Sequence, residues 1–341
     1  MSSTQQRVVS TRLSTDVAFD GPGKRHGYIR LPQSTHESAY GFVPIPLVVI
    51  AGRPGPTTLL TAGNHGDEYE GEVALSNLCR NLEPEQLTGR LIILPTLNQP
   101  AAVAGRRVSP LDGGNLNRAF PGDPGGGATA QIANYVEQVL MPLCDTVCDM
   151  HSGGSSLHYV PSVVTARWAD AERFEQSLAL VRAFGAPAAY VLDPPGPDDP
   201  TLLGAAGRKG KLFLGTELGG SGALSATTLG VAEAGLRRLL AHLGHLPDDG
   251  TPGHETRILV VGGADYFVHV DDGGVFEPLV ELGDEVSAGQ PAARVHFPER
   301  PWLTPLVLTF QRSGMVLCKR VPARVKRGDC LFHVGTDHEP R

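Results

Sequence analysis

Gly63-Asn64-His65-Gly66-Asp67-Glu68, read with Asp149-Met150-His151-Ser152-Gly153-Gly154 much further along, decides how this chain folds. The first run follows the apolar stretch Thr57-Thr58-Leu59-Leu60-Thr61-Ala62, and the second follows Asp145-Thr146-Val147-Cys148. Short apolar runs that break into glycine read as buried strands entering turns, and an open α/β sheet gathers its ligand-binding groups at such strand ends. Two imidazoles and a carboxylate meeting there, His65, His151 and Glu68, make a three-ligand metal site with a position left for water. That is the arrangement of a catalytic zinc, not of a closed structural one. It points to metal-assisted hydrolysis.

Outward from these loops, strands and helices alternate. The chain is extended up to Val43–Ile50, then strand Leu59–Ala62 leads to a helix near Glu70–Leu82 and strand Leu91–Leu94 to a long loop, Pro95–Gly127. A helix near Ala128–Leu143 keeps an apolar stripe at helical spacing through Ile132, Val136, Val139, Leu140 and Leu143. Strand Asp145–Met150, a helix near Ala169–Phe184, strands near Ala188–Leu192 and Leu212–Thr216 and a helix near Ala226–Leu243 follow. The alternation predicts an α/β fold with a mainly parallel sheet covered on both faces. Long ordered loops in compact domains are usually functional, which singles out Pro95–Gly127.

A break at Leu246-Pro247-Asp248-Asp249-Gly250-Thr251-Pro252-Gly253 ends the helical periodicity. Beyond it, Gly274-Val275-Phe276 leading to Val286–Gln290 is echoed by Gly314-Met315-Val316 leading to Val325–Asp329. This weak repeat of short strands and glycine turns resembles the pattern of the small β-sandwich in biotinyl and lipoyl domains. Those carriers present a lysine between the repeats, whereas this chain has His296-Phe297-Pro298-Glu299-Arg300-Pro301. A structural or substrate-shielding domain is expected instead of a swinging arm. The expected division is a disordered N-terminus (1–10), a zinc-dependent hydrolase domain (11–246), a linker (247–255) and a C-terminal β domain (256–341).

The 341 residues suffice for one large domain and a smaller one, and 41% hydrophobic with 19% charged residues is an ordinary globular composition. A formal charge of −7 gives no support to nucleic-acid binding. No apolar run is long enough to cross a bilayer, and Met1–Arg7 lacks the apolar core of a secretory signal. The five cysteines contain no CxxC pair, and a reducing cytoplasm fits them. Cys144 and Cys148 read as buried thiols.

Other residues add to the chemistry. Asp149 is placed either to orient an imidazole through its second nitrogen or to accept from nearby backbone amides. Glu217, in Gly215-Thr216-Glu217-Leu218-Gly219-Gly220, is a third carboxylate at a strand end, suited to move a proton between water and a leaving amine. The long loop carries Arg106-Arg107 and Asp112-Gly113-Gly114-Asn115-Leu116-Asn117-Arg118-Ala119-Phe120-Pro121-Gly122. An Asn-Arg pair offers a planar donor fork for a carboxylate, and a further arginine can stabilise an oxyanion.

In order, GNHGDE, DGGNLNRAFPG, DMHSGG and GTELGG resemble the motif set of the succinylglutamate desuccinylase/aspartoacylase family, from roughly Gly27 to Val334. The resemblance implies a zinc carboxypeptidase-like fold with an appended β domain, and one Zn2+ per chain held by His65, Glu68 and His151. It implies Glu217 as general base, Asn117 and Arg118 as the grip on a substrate carboxylate, and Arg107 as the group assisting the carbonyl, with Arg106 as the alternative. GNHGDEYEG, SPLDGGNLNRAFPG and DMHSGG are most similar to the Nα-acetyl-L-2,4-diaminobutyrate deacetylases of ectoine breakdown. The proline-rich Leu192–Pro200 departs from that likeness, and His158 and Tyr159 are expected to line the pocket.

The expected function is a cytoplasmic amidohydrolase that removes a small acyl group, acetyl first, from an amino acid. Its partner is a small-molecule N-acyl amino acid, with no nucleic acid and no membrane, and the oligomeric state is open, a homodimer included. The alternatives are a deacylase of another N-acyl amino acid or peptide-like amide, and a non-catalytic ligand-binding protein of the same fold.

Overall fold

The computed structural model describes residues 11–338, so the expectation for residues 1–10 lies outside the described residues. The chain opens with strands β1 (Ser14–Thr15), β2 (Gly23–Gln33), β3 (Gly41–Ala51) and β4 (Arg53–Ala62), then α1 (Tyr69–Asn81), β5 (Thr88–Leu94) and α2 (Gln99–Ala104). It continues with α3 (Ala128–Tyr135), β6 (Thr146–His151), β7 (Leu157–Tyr159), β8 (Ser162–Ala166), α4 (Ala171–Phe184) and β9 (Ala188–Leu192). Then come α5 (Leu202–Arg208), β10 (Leu212–Glu217) and α6 (Ala226–His242). Strands follow, with one 3₁₀ turn at Ala264–Tyr266 among the described residues: β11 (Arg257–Val260), β12 (Phe267–His269), β13 (Gly274–Pro278), β14 (Glu285–Val286), β15 (Pro291–His296), β16 (Leu306–Thr309), β17 (Gly314–Arg320), β18 (Arg324–Val325) and β19 (Cys330–Asp337).

The fold is mixed α/β and divides into two compact units. The first holds residues up to 66, 75–149 and 196–213, and the second holds 67–74, 150–195 and 214 onward. In the first unit the hydrogen-bonded strand order is β1-β2-β3-β5-β4-β6. Its sheet is not mainly parallel as expected. β2 and β3 form one long antiparallel hairpin from Gly23↔Ala51 to Gln33↔Gly41, β3 pairs antiparallel with β5, and β4–β5 is parallel. A short connection can return the chain only antiparallel, which decides that half of the sheet. Pro44 and Pro46 lie in β3 outside the Val48–Ala51 stretch that pairs with β5. Having no N–H to donate, they are tolerated where that edge has no ladder to complete. Leu47, Val49, Leu59, Leu60, Ile92 and Ile93 are fully buried and form the core here.

In the second unit the order is β10-β8-β9-β11-β19-β17-β14, with β12 on β19 and β7 on β17, while β16-β15-β13-β18 form a separate four-stranded sheet. β8–β9 and β9–β11 are parallel, whereas β8–β10 and β11–β19 are antiparallel. Phe276, Phe310, Phe332, Val316 and Leu317 are buried in a core that also takes in Tyr190 and Val164. Helix α4 starts on the Asp170 cap, whose side chain accepts from Arg173 N, and stops at Gly185 with φ 65°.

N-terminal to the break at Leu246, four strands and α-helices were not legible beforehand. β7 and β8 lie behind the Gly/Ser-rich turn, α2 interrupts the expected long loop, and α5 carries Gly204 and Gly207. The expected single helix 128–143 is three pieces. α3 widens into a π turn at Val136–Leu140 and tightens to a 3₁₀ turn at Met141–Leu143, where Pro142 has no N–H for an α-helical bond.

Candidate metal centre

His65 stands on the turn after β4. Gly63 adopts φ 63°, and Gly66 sits so close to α2 that a Cβ there would meet the Ala101 carbonyl carbon at 2.0 Å. The Gly66 N–H donates to Arg106 O at 2.9 Å, which pins the turn to the end of α2. Both glycines are therefore required by the path of the backbone. Asp149, 1% exposed, ties the turn down from below: its carboxylate accepts from the Thr61 hydroxyl at 2.7 Å and from Asn64 Nδ2 at 3.0 Å.

The His65 ring is held on both sides. Nε2 lies 3.1 Å from Asn115 Oδ1, and Nδ1 lies 3.3 Å from Arg107 Nη1. A carboxamide oxygen only accepts and a guanidinium only donates, so Nε2 carries the proton and Nδ1 accepts from Arg107, which makes the ring the neutral imidazole, the form that binds metals. Sequence reasoning missed Asn115, although it lay inside a quoted motif. Of the two arginines, Arg107 puts its guanidinium beside His65, and Arg106 accepts from Gly66 N through its backbone carbonyl.

In the second unit, Glu68 Oε2 lies 2.7 Å from His151 Nδ1 and accepts from Ser152 N at 3.2 Å. His151 N donates to Thr216 Oγ1, which returns a bond to His151 O, each at 3.0 Å. Ser155 N donates to Asp67 Oδ2 at 2.8 Å, and Gly154, at φ 55°, wraps so tightly that a Cβ would meet that carboxylate at 2.8 Å. The DMHSGG turn is thus moulded around the acidic side chains of the GNHGDE turn.

Among the described residues, His65, Glu68 and His151 each offer a donor atom within 4.8 Å of the others, and all three are buried. Two imidazole nitrogens and one carboxylate oxygen are the donor set of an open zinc site, so these residues fit the metal the sequence implied. Burial of a carboxylate with so little solvent favours a positive charge beside it. Nearby Glu72 shows the opposite condition: burial, then the Glu68 charge, push its carboxyl up to about 7.

Glu217 ends β10, in register with Ser162, and is half-buried. Its charge adds to burial in raising the Tyr159, Tyr190 and Cys318 groups, so it lies among them. His158 lines a cavity of about 420 Å³ with Ser221, Phe276, Lys319 and Arg320, and its Nδ1 meets Ser221 Oγ at 2.8 Å.

Asn117 and Arg118 occupy a 3₁₀ turn, Leu116–Arg118, in the first unit. Asn117 Oδ1 accepts from Leu202 N at 2.9 Å, which leaves the donor end of its amide for an anion. The Arg118 pKa is lowered, first by desolvation and then by the Arg107 charge, with Asp199 opposing. A guanidinium that is desolvated and stands in the field of a second one gains from an anion beside it.

Residues 54–243 match the model of the succinylglutamate desuccinylase/aspartoacylase catalytic domain. The chain is 42% identical over 323 residues, 94% of its own length and 93% of the relative's, to the N-alpha-acetyl-L-2,4-diaminobutyric acid deacetylase of Halomonas elongata. Among solved structures, a succinylglutamate desuccinylase/aspartoacylase from Rhodobacter sphaeroides superposes with a TM-score of 0.91 at 38% identity, covering 97% of this chain and all of the other (100%). The product-bound ectoine utilization protein EutE (DoeB) from Ruegeria pomeroyi gives 0.90 at 40% identity, covering 95% and 98%.

Proposed function

The chain belongs to the succinylglutamate desuccinylase/aspartoacylase family, and from that premise we propose that it is a zinc-dependent amidohydrolase releasing acetate from Nα-acetyl-L-2,4-diaminobutyrate. The observation that carries the chemistry is the buried group of His65, Glu68 and His151. The similarity to the Halomonas elongata deacetylase over nearly the whole chain carries the substrate.

Zinc bound by these residues supplies Lewis acidity for the scissile carbonyl and the attacking water. The remaining steps belong to the protein. Glu217 accepts a proton from the attacking water and delivers it to the departing amine nitrogen. Arg107 stabilises the negative charge that develops on the carbonyl oxygen. Asn117 and Arg118 bind the substrate carboxylate at two points, which sets the distance from anchor to amide.

The lowered Arg118 pKa supports this, because a bound carboxylate offsets its desolvation first and then the repulsion from Arg107. We place the enzyme in a reducing cytoplasm, in keeping with Cys79, Cys144, Cys148, Cys318 and Cys330 all being free thiols. The C-terminal strands are proposed to form a biotinyl-like sandwich with a structural or shielding role. Among the described residues no helix is long and apolar enough to cross a membrane.

A panel of N-acyl amino acids assayed with zinc-loaded protein tests the proposal. Acetyl-diaminobutyrate should give the highest kcat/KM. A better substrate with another acyl group or amino acid moves the assignment within the family, and no turnover of any member removes it.

A further inference from the structure

We infer that the ion pair between Glu137 and Arg208 is a positioning pair for the carboxylate anchor, holding the Pro197–Leu202 segment against the turn that carries Asn117 and Arg118. The role of the anchor rests on the deacylase reading, whereas the hydrogen-bond network does not.

Glu137 is 2% exposed and sits in the π turn after α3. Arg208, at the end of α5, grips it with two nitrogens, Nε to Oε1 at 3.2 Å and Nη2 to Oε2 at 2.9 Å. The third nitrogen, Nη1, turns the other way and donates to the carbonyls of Asp199 at 2.6 Å and Pro197 at 3.3 Å. One planar fork therefore joins a buried carboxylate to the backbone of the proline-rich segment. Only arginine has donors on both sides for this. The wide π turn also lets the next residue reach α5, with Gln138 Oε1 accepting from Lys209 Nζ at 2.8 Å.

The segment needs such a hold. Pro197 and Pro200 have no N–H to donate, so it has little regular structure of its own. Asp199 Oδ1 accepts from Thr201 N at 2.8 Å, and Thr201 Oγ1 caps α5 by accepting from Gly204 N at 3.0 Å. Gly204 leaves no slack, since a Cβ there would meet Asp199 O at 2.5 Å.

From this braced segment two bonds bracket the anchor. Leu202 N donates to Asn117 Oδ1 at 2.9 Å, and Phe120 N donates to Pro200 O at 3.1 Å. Asn117 and Phe120 flank Arg118, so the segment sets the height and rotation of the anchor turn. A buried ion pair is weak evidence of stabilisation, because apolar residues of equal volume often serve as well. What they do not supply is a donor aimed at two chosen carbonyls.

The test uses Arg208→Lys, which keeps the charge and loses the double-sided fork, and Glu137→Gln, which keeps the shape. For each, kcat and KM are measured with acetyl-diaminobutyrate and with its carboxamide analogue. Amide exchange is followed at Phe120 and Leu202, and the kinetics are repeated in an Asn117→Ala background.

Positioning predicts faster exchange at those two amides and a KM about 10- to 100-fold higher for the carboxylate substrate, since ångström-scale misplacement costs about that much. It also predicts kcat within about threefold, little change for the carboxamide, and a much smaller KM effect once Asn117 is gone. Unchanged exchange overturns the inference. So does faster exchange with an unchanged KM, or a KM effect that persists at full size without Asn117. Should the wild type cleave no N-acyl amino acid, the functional reading fails alone, and exchange at Phe120 and Leu202 still decides the link.

Discussion

Arg107 places Nη1 3.3 Å from Nδ1 of His65, while Asn115 Oδ1 lies 3.1 Å from Nε2 on the other side of the ring. The residue proposed to stabilise the oxyanion and a proposed metal ligand are thus positioned against each other. A change at either one should be felt at both.

The first consequence concerns the metal. We expect about one zinc per chain, and strong depletion in His65→Ala and His151→Ala by elemental analysis. Asn115→Ala should leave all three ligands in place yet weaken affinity by about 10- to 100-fold in a chelator competition, the usual cost of losing an outer partner. Full occupancy in both histidine variants would sink the site.

Glu217 separates chemistry from binding. Glu217→Gln should retain zinc and substrate affinity and lose about 10²- to 10⁴-fold in kcat, the usual share of proton transfer. If turnover stays near normal, the base is another group.

Arg118 can be tested through the substrate. Arg118→Lys keeps the charge and loses the fork, so kcat/KM should fall sharply for the N-acyl amino acid and much less for its amide-capped analogue. The comparison is a double cycle between residue and substrate group, which cancels general damage to the loop. Equal losses on both substrates would mean that Arg118 is not the anchor.

A fourth expectation concerns stability against pH. His333 is 4% exposed, and its ring stacks on Phe267 at 4.7 Å and meets the edges of Tyr190 and Tyr159. Neither ring nitrogen has a hydrogen-bond partner, and burial lowers its pKa from 6.5 to about 4. The folded protein therefore disfavours the charged ring. Between pH 6.5 and 4 the unfolded chain binds the extra proton, so stability falls with pH across that window by up to about 3 kcal/mol. His333→Phe keeps the stacking and removes the titration. Urea unfolding at pH 7 and pH 4.5 should show a smaller acid loss in that variant, and an equal loss in both proteins would rule His333 out as its source.

The reading of the sequence reached furthest where chemistry and backbone geometry share a few adjacent residues. Gly66 and Gly154 mark places where no side chain fits, Gly63 holds a positive φ, and all three stand near His65, Glu68 and His151. Residue type and spacing alone point to those ligands. The helices of strong period, α1, α4 and α6, were legible for a similar reason, since burying one face imposes a repeat of 3.6 residues.

Other features were decided only by tertiary structure. That the Arg107 guanidinium lies beside His65, forty-odd positions earlier in the chain, could not be read from the Arg106-Arg107 pair. Asn115 stood in plain sight but acquired a role only beside that ring. The mixed sheet follows from the β2–β3 hairpin, whose register no local pattern specifies. Glu137 and Arg208, 71 residues apart, belong to no motif at all. Apolar burial is periodic and leaves its trace in the sequence, whereas a hydrogen bond between distant side chains depends on where two elements come to rest, and nothing local encodes that.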